Sequence, residues 1–112
     1  MKKIEAIIKP YKLEEVRDAL GELGVTGMTV TEVRGLGRQA DSVELFRGSE
    51  HMVGLLPKIM IEVVVSDRAA ESTVAAVVKS ARTGKTGDGK VFVASIEQAV
   101  RIRTEETGDN AI

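Results

Sequence analysis

Twice along this chain the spacing of apolar residues switches from two to between three and four and then back to two, and this double switch constrains the fold more than any other feature. Residues 3–9 alternate, with Ile4, Ala6 and Ile8 on one face and Lys3, Glu5 and Lys9 on the other, and Pro10 closes the strand. Leu13, Val16, Leu20 and Leu23 then fall at helical spacing, with Glu14 and Glu15 in the first turn and Gly24 as a stop. A second strand is expected from Met28 to Val33 and a third from Lys58 to Val65, where Ile59, Ile61, Val63 and Val65 share a face. Asp67 is placed to cap a second helix whose stripe is Ala70, Val74, Val77, Val78 and Ala81. A last strand runs from Lys90 to about Ile96, and the polar stretch from Thr104 to Ile112 reads as a mobile tail.

The resulting order, β-α-β-β-α-β, is that of a ferredoxin-like α+β sandwich: a four-stranded antiparallel sheet with both helices on one face. At 112 residues the chain is expected to be one domain, residues 1–112. Two helices cover one face only. Ile7, Met60, Val64, Phe92 and Ala94 point to the uncovered side, which leaves a subunit interface or scattered exposed apolar residues as readings.

Charge and composition remove several classes of function. Sixteen Lys and Arg against 17 Asp and Glu produce no field that would draw the chain onto nucleic acid or an anionic membrane. The absence of cysteine excludes disulfides, thiolate catalysis and Cys-based metal sites. Glu5 and Lys9 interrupt the apolar stretch that a signal peptide needs, and no apolar run nears the ~20 residues of a membrane span. A cytoplasmic location without direct membrane insertion is the expectation.

Between the second and third strands, residues 37–54 show neither period, and compact domains rarely keep structureless loops longer than about 12–15 residues unless they are functional. A regulatory loop and a disordered insertion are both compatible with this stretch. Glycine concentrates in the segment 82–90, at Gly84, Gly87 and Gly89, beside Lys85 and Lys90. Successive backbone N–H groups can there converge on one anion, with lysine adding a cation. Gly84 to Lys90 matches the glycine and lysine positions of a P-loop, yet Val91 stands where a hydroxyl would hold magnesium, and the segment runs from helix to strand rather than from strand to helix. By itself it leaves open a phosphate loop of another kind and a flexible turn. Gly35-Leu36-Gly37-Arg38-Gln39 and Arg101-Ile102-Arg103, the latter read as extended, add further donors, and a polyphosphate needs several charge-assisted donors at once.

These blocks, together with Ile7-Ile8-Lys9-Pro10, Gly27-Met28-Thr29-Val30, Glu44-Leu45-Phe46-Arg47-Gly48, Pro57-Lys58 and the run Thr83 to Val93, closely resemble the PII nitrogen-regulatory signal proteins of the GlnB/GlnK type over essentially the whole chain. The resemblance implies a homotrimer that binds ATP or ADP in clefts between neighbours. On it, Gly87, Asp88, Gly89 and Lys90 cradle phosphates, Arg101 and Arg103 reach them across the subunit boundary, and Gly37 and Arg38 close from the loop. Thr29, Glu62 and Val64 line the adenine pocket, and Ile7, Gly35 and Ile102 join the nucleotide-binding set. Gln39 helps hold a magnesium ion chelated by 2-oxoglutarate, while Lys58 pairs with that ligand's distal carboxylate. Loop 37–54 then reports ligand state to targets such as an ammonium channel or regulatory enzymes of glutamine synthetase, with Arg47 as a partner contact. Residues 98–112 form a C-terminal segment.

Departures from the family pattern carry expectations of their own. His51 stands where many members have a nucleotidylated tyrosine, and imidazole cannot form that phenolic ester. Ser49 matches a serine phosphorylated in some members, Phe46 lacks the usual hydroxyl, and Ala40-Asp41-Ser42 differs from the usual stretch. The rivals are weaker. No nucleophile–base pair or paired carboxylates can be read, so a hydrolase is not expected beyond slow incidental ATP hydrolysis. RNA binding on this fold needs stacking aromatics, whereas Tyr11, Phe46 and Phe92 are the only aromatic residues and just one lies on a strand.

Overall fold

The computed structural model of this protein describes residues 1–36 and 55–112. Its elements are β1 (Lys2–Ile8), a 3-10 turn (Pro10–Lys12), α1 (Leu13–Glu22), β2 (Thr29–Gly35), β3 (Leu56–Val65), α2 (Asp67–Ala81), β4 (Lys90–Ser95) and a short 3-10 helix (Gly108–Ala111). All strand pairings are antiparallel, in the order β2-β3-β1-β4. This is the ferredoxin-like arrangement that the two period switches predict.

Register follows from burial. Ile4 faces Val63, Ala6 faces Ile61 and Ile8 faces Ile59, so the two central strands place one continuous aliphatic sheet against the helices. Val16 and Leu20 of α1 and Val77 and Ala81 of α2 close over it. Sliding β1 by one residue would bury Lys3 and Glu5 instead, and sliding β3 would bury Glu62, which fixes the pairing. No aromatic ring takes part among the described residues: Tyr11 and Phe92 are both exposed.

The ends of the helices are set by local chemistry. At the end of α1, Gly24 adopts a positive φ of 82°, the Gly24 N–H donates to the Gly21 carbonyl, and the Val25 N–H donates to the Leu20 carbonyl. That pair of bonds is a Schellman closure, with Val25 folded against the core. Leu23 is therefore the capping residue rather than part of the buried stripe, and it is exposed.

The N-cap of α2 is Ser66, whose side chain accepts from the Ala69 N–H at 3.3 Å; Asp67, expected as the cap, is instead the first helical residue. Its carboxylate takes the N-terminal ammonium at 3.0 Å and Lys2 at 3.1 Å. Within the expected stripe of α2, Val78 is exposed, and the deepest polar position is Thr73, whose hydroxyl donates to the Ala69 carbonyl at 2.7 Å. A satisfied hydroxyl is tolerated in a core where an unpaired one is costly.

Two expectations for the C-terminal segment are corrected. Arg101-Ile102-Arg103 is not extended but enters a turn in which the Glu105 N–H donates to the Arg101 carbonyl and the Arg101 N–H to the Glu106 carbonyl, with Glu105 at φ 62°. The stretch after it is ordered rather than mobile, because Val100 bridges Thr107 and the Gly108 N–H reaches the Ala99 carbonyl before the last 3-10 helix. Backbone pairing, invisible to composition, outweighs the polarity of these side chains.

The packing predicts a contrast within one layer. Leu20→Ala should lower the free energy of unfolding by about 2–5 kcal/mol, while Val78→Ala on the outer side of α2 should stay within about 0.5 kcal/mol. Urea denaturation of both variants is the check, and equal losses would contradict the core assignment.

Candidate functional site

The connection from α2 to β4 is built around one carboxylate. Asp88 turns back into its own loop and accepts from the Thr83 N–H at 2.8 Å, the Gly84 N–H at 2.8 Å and the Thr83 hydroxyl. Lys9, at the end of β1, adds its ammonium 3.3 Å from the same carboxylate. The Thr83 hydroxyl is used completely: it donates to Asp88 and accepts from Lys9 at 3.3 Å and from the Lys85 N–H at 3.2 Å. The hydroxyl of Thr83 holds the Asp88 carboxyl well below the usual carboxylate range; partial burial opposes this, and the two amides and Lys9 reinforce it.

A second lysine reaches the loop from the neighbouring strand. Lys58 is buried, and its Nζ donates to the Gly87 carbonyl at 2.7 Å. Burial lowers the pKa of Lys58, nearby Lys9 lowers it further, and Asp88 pulls the other way. The register Ile8 to Ile59 explains the meeting, since it brings the end of β1 and the start of β3 to the same edge of the loop.

Gly89 closes the construction. Its φ of 103° suits only glycine, and a Cβ there would overlap the Ile7 carbonyl oxygen and lie 2.8 Å from the carbonyl carbon. Backbone is thus packed on backbone where β4 begins to pair with β1 at Lys90 and Ile7.

Beside this loop lies a cleft of about 920 Å³ lined by Ile7, Val33, Arg34, Gly35, Leu36, Lys58, Lys85, Gly87, Asp88, Gly89, Lys90 and Phe92. Arg34, Lys58, Lys85 and Lys90 bring cations to it, and the one carboxylate among its described lining residues, Asp88, is already committed to Thr83, Gly84 and Lys9. Such a surface suits a multiply charged anion with an apolar part. Of the expected site residues, Ile7, Gly35, Lys58, Gly87, Asp88, Gly89 and Lys90 meet here.

Other expected residues lie elsewhere within the single chain. Thr29 and Glu62 are opposite each other on β2 and β3, and Glu62 pairs with Lys3 at 3.2 Å. Val64 and Arg101 border a separate groove formed with the end of α1 and the C-terminus. The Arg101 guanidinium lies 3.9 Å from Glu106 and 3.4 Å from the Asn110 carbonyl, and Ile102 is almost fully exposed. Arg103 sits in the same exposed turn. Gly37, Arg38, Gln39, Arg47, Ser49 and His51 fall outside the described residues.

Sequence reasoning does not assign roles to Lys9, Thr83 or Arg34, and Lys85 enters it only as a cation beside the glycines. Lys9 could have been found once β1 was paired with β3, because it then faces the same end of the sheet as Lys58. The signal for Thr83 is its hydroxyl at the exit of a helix, five residues before an aspartate.

Two predictions come from this geometry. Gly89→Ala should cost about 2–5 kcal/mol through backbone overlap and forced φ, whereas Gly84→Ala, with open space around it, should cost only about 1–2 kcal/mol; thermal or urea unfolding compares them. Because the folded state depresses the Asp88 pKa, its stabilising contribution is complete above the unfolded carboxylate value of about 4 and is lost only as pH falls below it through the folded value. An NMR titration should find Asp88 ionised at pH 4 in the wild type and its midpoint raised in Thr83→Val; an unchanged midpoint would contradict the clamp.

Comparison with known proteins agrees with the architecture. The family model described as Nitrogen regulatory protein P-II matches residues 1–106. Among curated relatives, the chain is similar to the Nitrogen regulatory protein P-II of Mesorhizobium japonicum, with 58% identity, and to that of Pasteurella multocida, with 55%. It is likewise 56% identical to Nitrogen regulatory protein P-II 1 of Escherichia coli K12. Each match covers 100% of both chains.

Proposed function

The chain belongs to the nitrogen regulatory protein P-II family, and from that premise we propose that it senses ATP or ADP together with 2-oxoglutarate and reports their balance to target proteins. As a member it is a nitrogen-regulatory signal protein, a regulator rather than an enzyme. Among the described residues no helix is long and apolar enough to cross a membrane.

One observation carries the ligand assignment: the cleft in which Lys90, Lys58 and the backbone of Gly87 to Gly89 converge beside an aspartate that is already neutralised. Phosphates fit this donor set, since Asp88 offers them no free negative charge. Lys90 and the loop amides would hold them, with Ile7 and Gly35 along the cleft. Thr29, Glu62, Val64, Arg101, Ile102 and Arg103 lie outside this cleft in one chain, so a nucleotide that touches them as well would have to span neighbouring subunits. That is the physical case for a homotrimer, in which the uncovered sheet face supplies the contact.

Magnesium is compatible with the site only if its oxygens come mainly from the ligands, because both Asp88 oxygens already accept hydrogen bonds or face Lys9. When bound with ATP, the ion would supply a hard electrophilic centre for the two oxygens of a 2-oxo acid. Gln39 is the side chain assigned to assist, and Lys58 would take the distal carboxylate. Targets such as an ammonium channel or regulatory enzymes of glutamine synthetase would read loop 37–54, with Arg47 as contact and Ser49 as a phosphorylation candidate.

Calorimetry should find 2-oxoglutarate binding only when ATP and magnesium are present; equal binding without ATP would refute the sensor reading. Lys90→Ala and Arg103→Ala should each weaken ADP binding roughly tenfold or more, whereas Gln39→Ala should spare ADP and lose 2-oxoglutarate. Light scattering should return a trimer, and a stable monomer would leave the assigned nucleotide site incomplete.

A further inference from the structure

We infer that Lys58 is also a positioning residue of the phosphate loop: by donating to the Gly87 carbonyl it fixes the Gly87–Asp88 peptide plane, so that any carboxylate engaging this lysine acts directly on the nucleotide loop. The assignment of Lys58 to an acid's carboxylate belongs to the sensor reading, and the inference rests on that reading only for naming the acid. Its core concerns the chain without ligand.

Three observations carry it. The bond is short, at 2.7 Å, and it is made by a lysine that is only 8% exposed, so solvent competes weakly for the carbonyl. The loop is anchored at two consecutive residues by lysines from two neighbouring strands: Lys9 holds the Asp88 side chain and Lys58 holds the Gly87 backbone. The anchors are not equivalent. Asp88 has its own further donors in Thr83 and Gly84, which keep its carboxylate in place, whereas Lys58 is the only donor to the Gly87 carbonyl among the described residues.

The consequence is a matter of peptide geometry. In a trans peptide the C=O and the following N–H point in opposite directions, so pinning the Gly87 carbonyl also aims the Asp88 N–H. Gly87 has a φ of 93° and, without a Cβ, has low barriers around its backbone bonds. Left without Lys58, this plane would be free to turn, while Thr83 and Gly84 stayed tied to the carboxylate. A ligand that moves the Lys58 ammonium therefore re-aims one donor of the proposed phosphate cradle, with no need for a larger rearrangement.

The test is residue-resolved NMR relaxation on the ligand-free full chain, comparing wild type, Lys58→Met and Lys58→Arg. In the Met variant the Asp88 N–H order parameter should fall from about 0.85 to below about 0.6, while the Thr83 and Gly84 N–H groups stay rigid. The Arg variant, which retains a donor, should restore at least half of the lost order. A rigid Asp88 amide in Lys58→Met overturns the inference, as does uniform loosening of Thr83, Gly84 and Asp88, which would mark Lys58 as merely structural. Should Lys58→Met fail to fold, the wild type decides: a scalar coupling across the hydrogen bond between the Lys58 ammonium and the Gly87 carbonyl carbon supports the inference, and no coupling overturns it. Calorimetry with 2-oxoglutarate separates the two readings, since a chain that never binds this acid refutes the sensor while leaving the relaxation result intact.

Discussion

The Asp88 carboxylate, ionised and turned inward, is the interaction on which the rest of the site depends. It joins three parts of the chain that the sequence separates: the exit of α2 at Thr83 and Gly84, the entry to β4, and the end of β1 through Lys9. The Thr83 N–H and hydroxyl that it gathers are part-buried, where losing their acceptor would be costly. Once the carboxylate is committed, the cations dominate the charge that the described residues bring to the cleft. An aspartate beside a proposed phosphate site looks repulsive in a one-dimensional reading; the fold makes it the part that shapes the loop.

A second constraint comes from the sheet. Two helices cover one side of four strands, so the residues of the other parity must find another environment or remain in water. Ile7, Met60 and Val64 are half-buried within one chain, while Phe92 and Ala94 stay exposed. The same face carries Glu62 with its Lys3 partner and, at one end, the buried Lys58. Apolar and charged rows thus lie side by side, and the cation-lined cleft opens at the edge where β1, β3 and β4 meet the loop.

Much of this was legible from periodicity. The alternation in β1 and β3 and the helical stripes of α1 and α2 led directly to the ferredoxin-like topology, because aliphatic residues on a half-buried strand leave little choice of register. What stayed hidden depends on hydrogen bonds between distant residues. Ser66 rather than Asp67 caps α2, since Asp67 is drawn to the N-terminal ammonium and Lys2. The turn at Arg101 and the ordered segment beyond it come from backbone pairs that side-chain polarity cannot announce. Gly84, Gly87 and Gly89 could be read as an anion loop, yet the steric reason for Gly89 lies in Ile7, 82 positions earlier in the chain. Lys9 and Thr83 were silent for the same reason: their roles exist only once strand and loop are side by side.

The central claim is that the segment between α2 and β4 is where the phosphates of a nucleotide bind. The most direct measurement is an amide NMR titration of the isotopically labelled chain with ADP. The account predicts saturable shifts concentrated at Gly87, Asp88, Gly89 and Lys90, with Thr83 and Gly84 following weakly through the carboxylate they hold. Saturable binding that leaves these four amides unmoved and shifts residues elsewhere would contradict it.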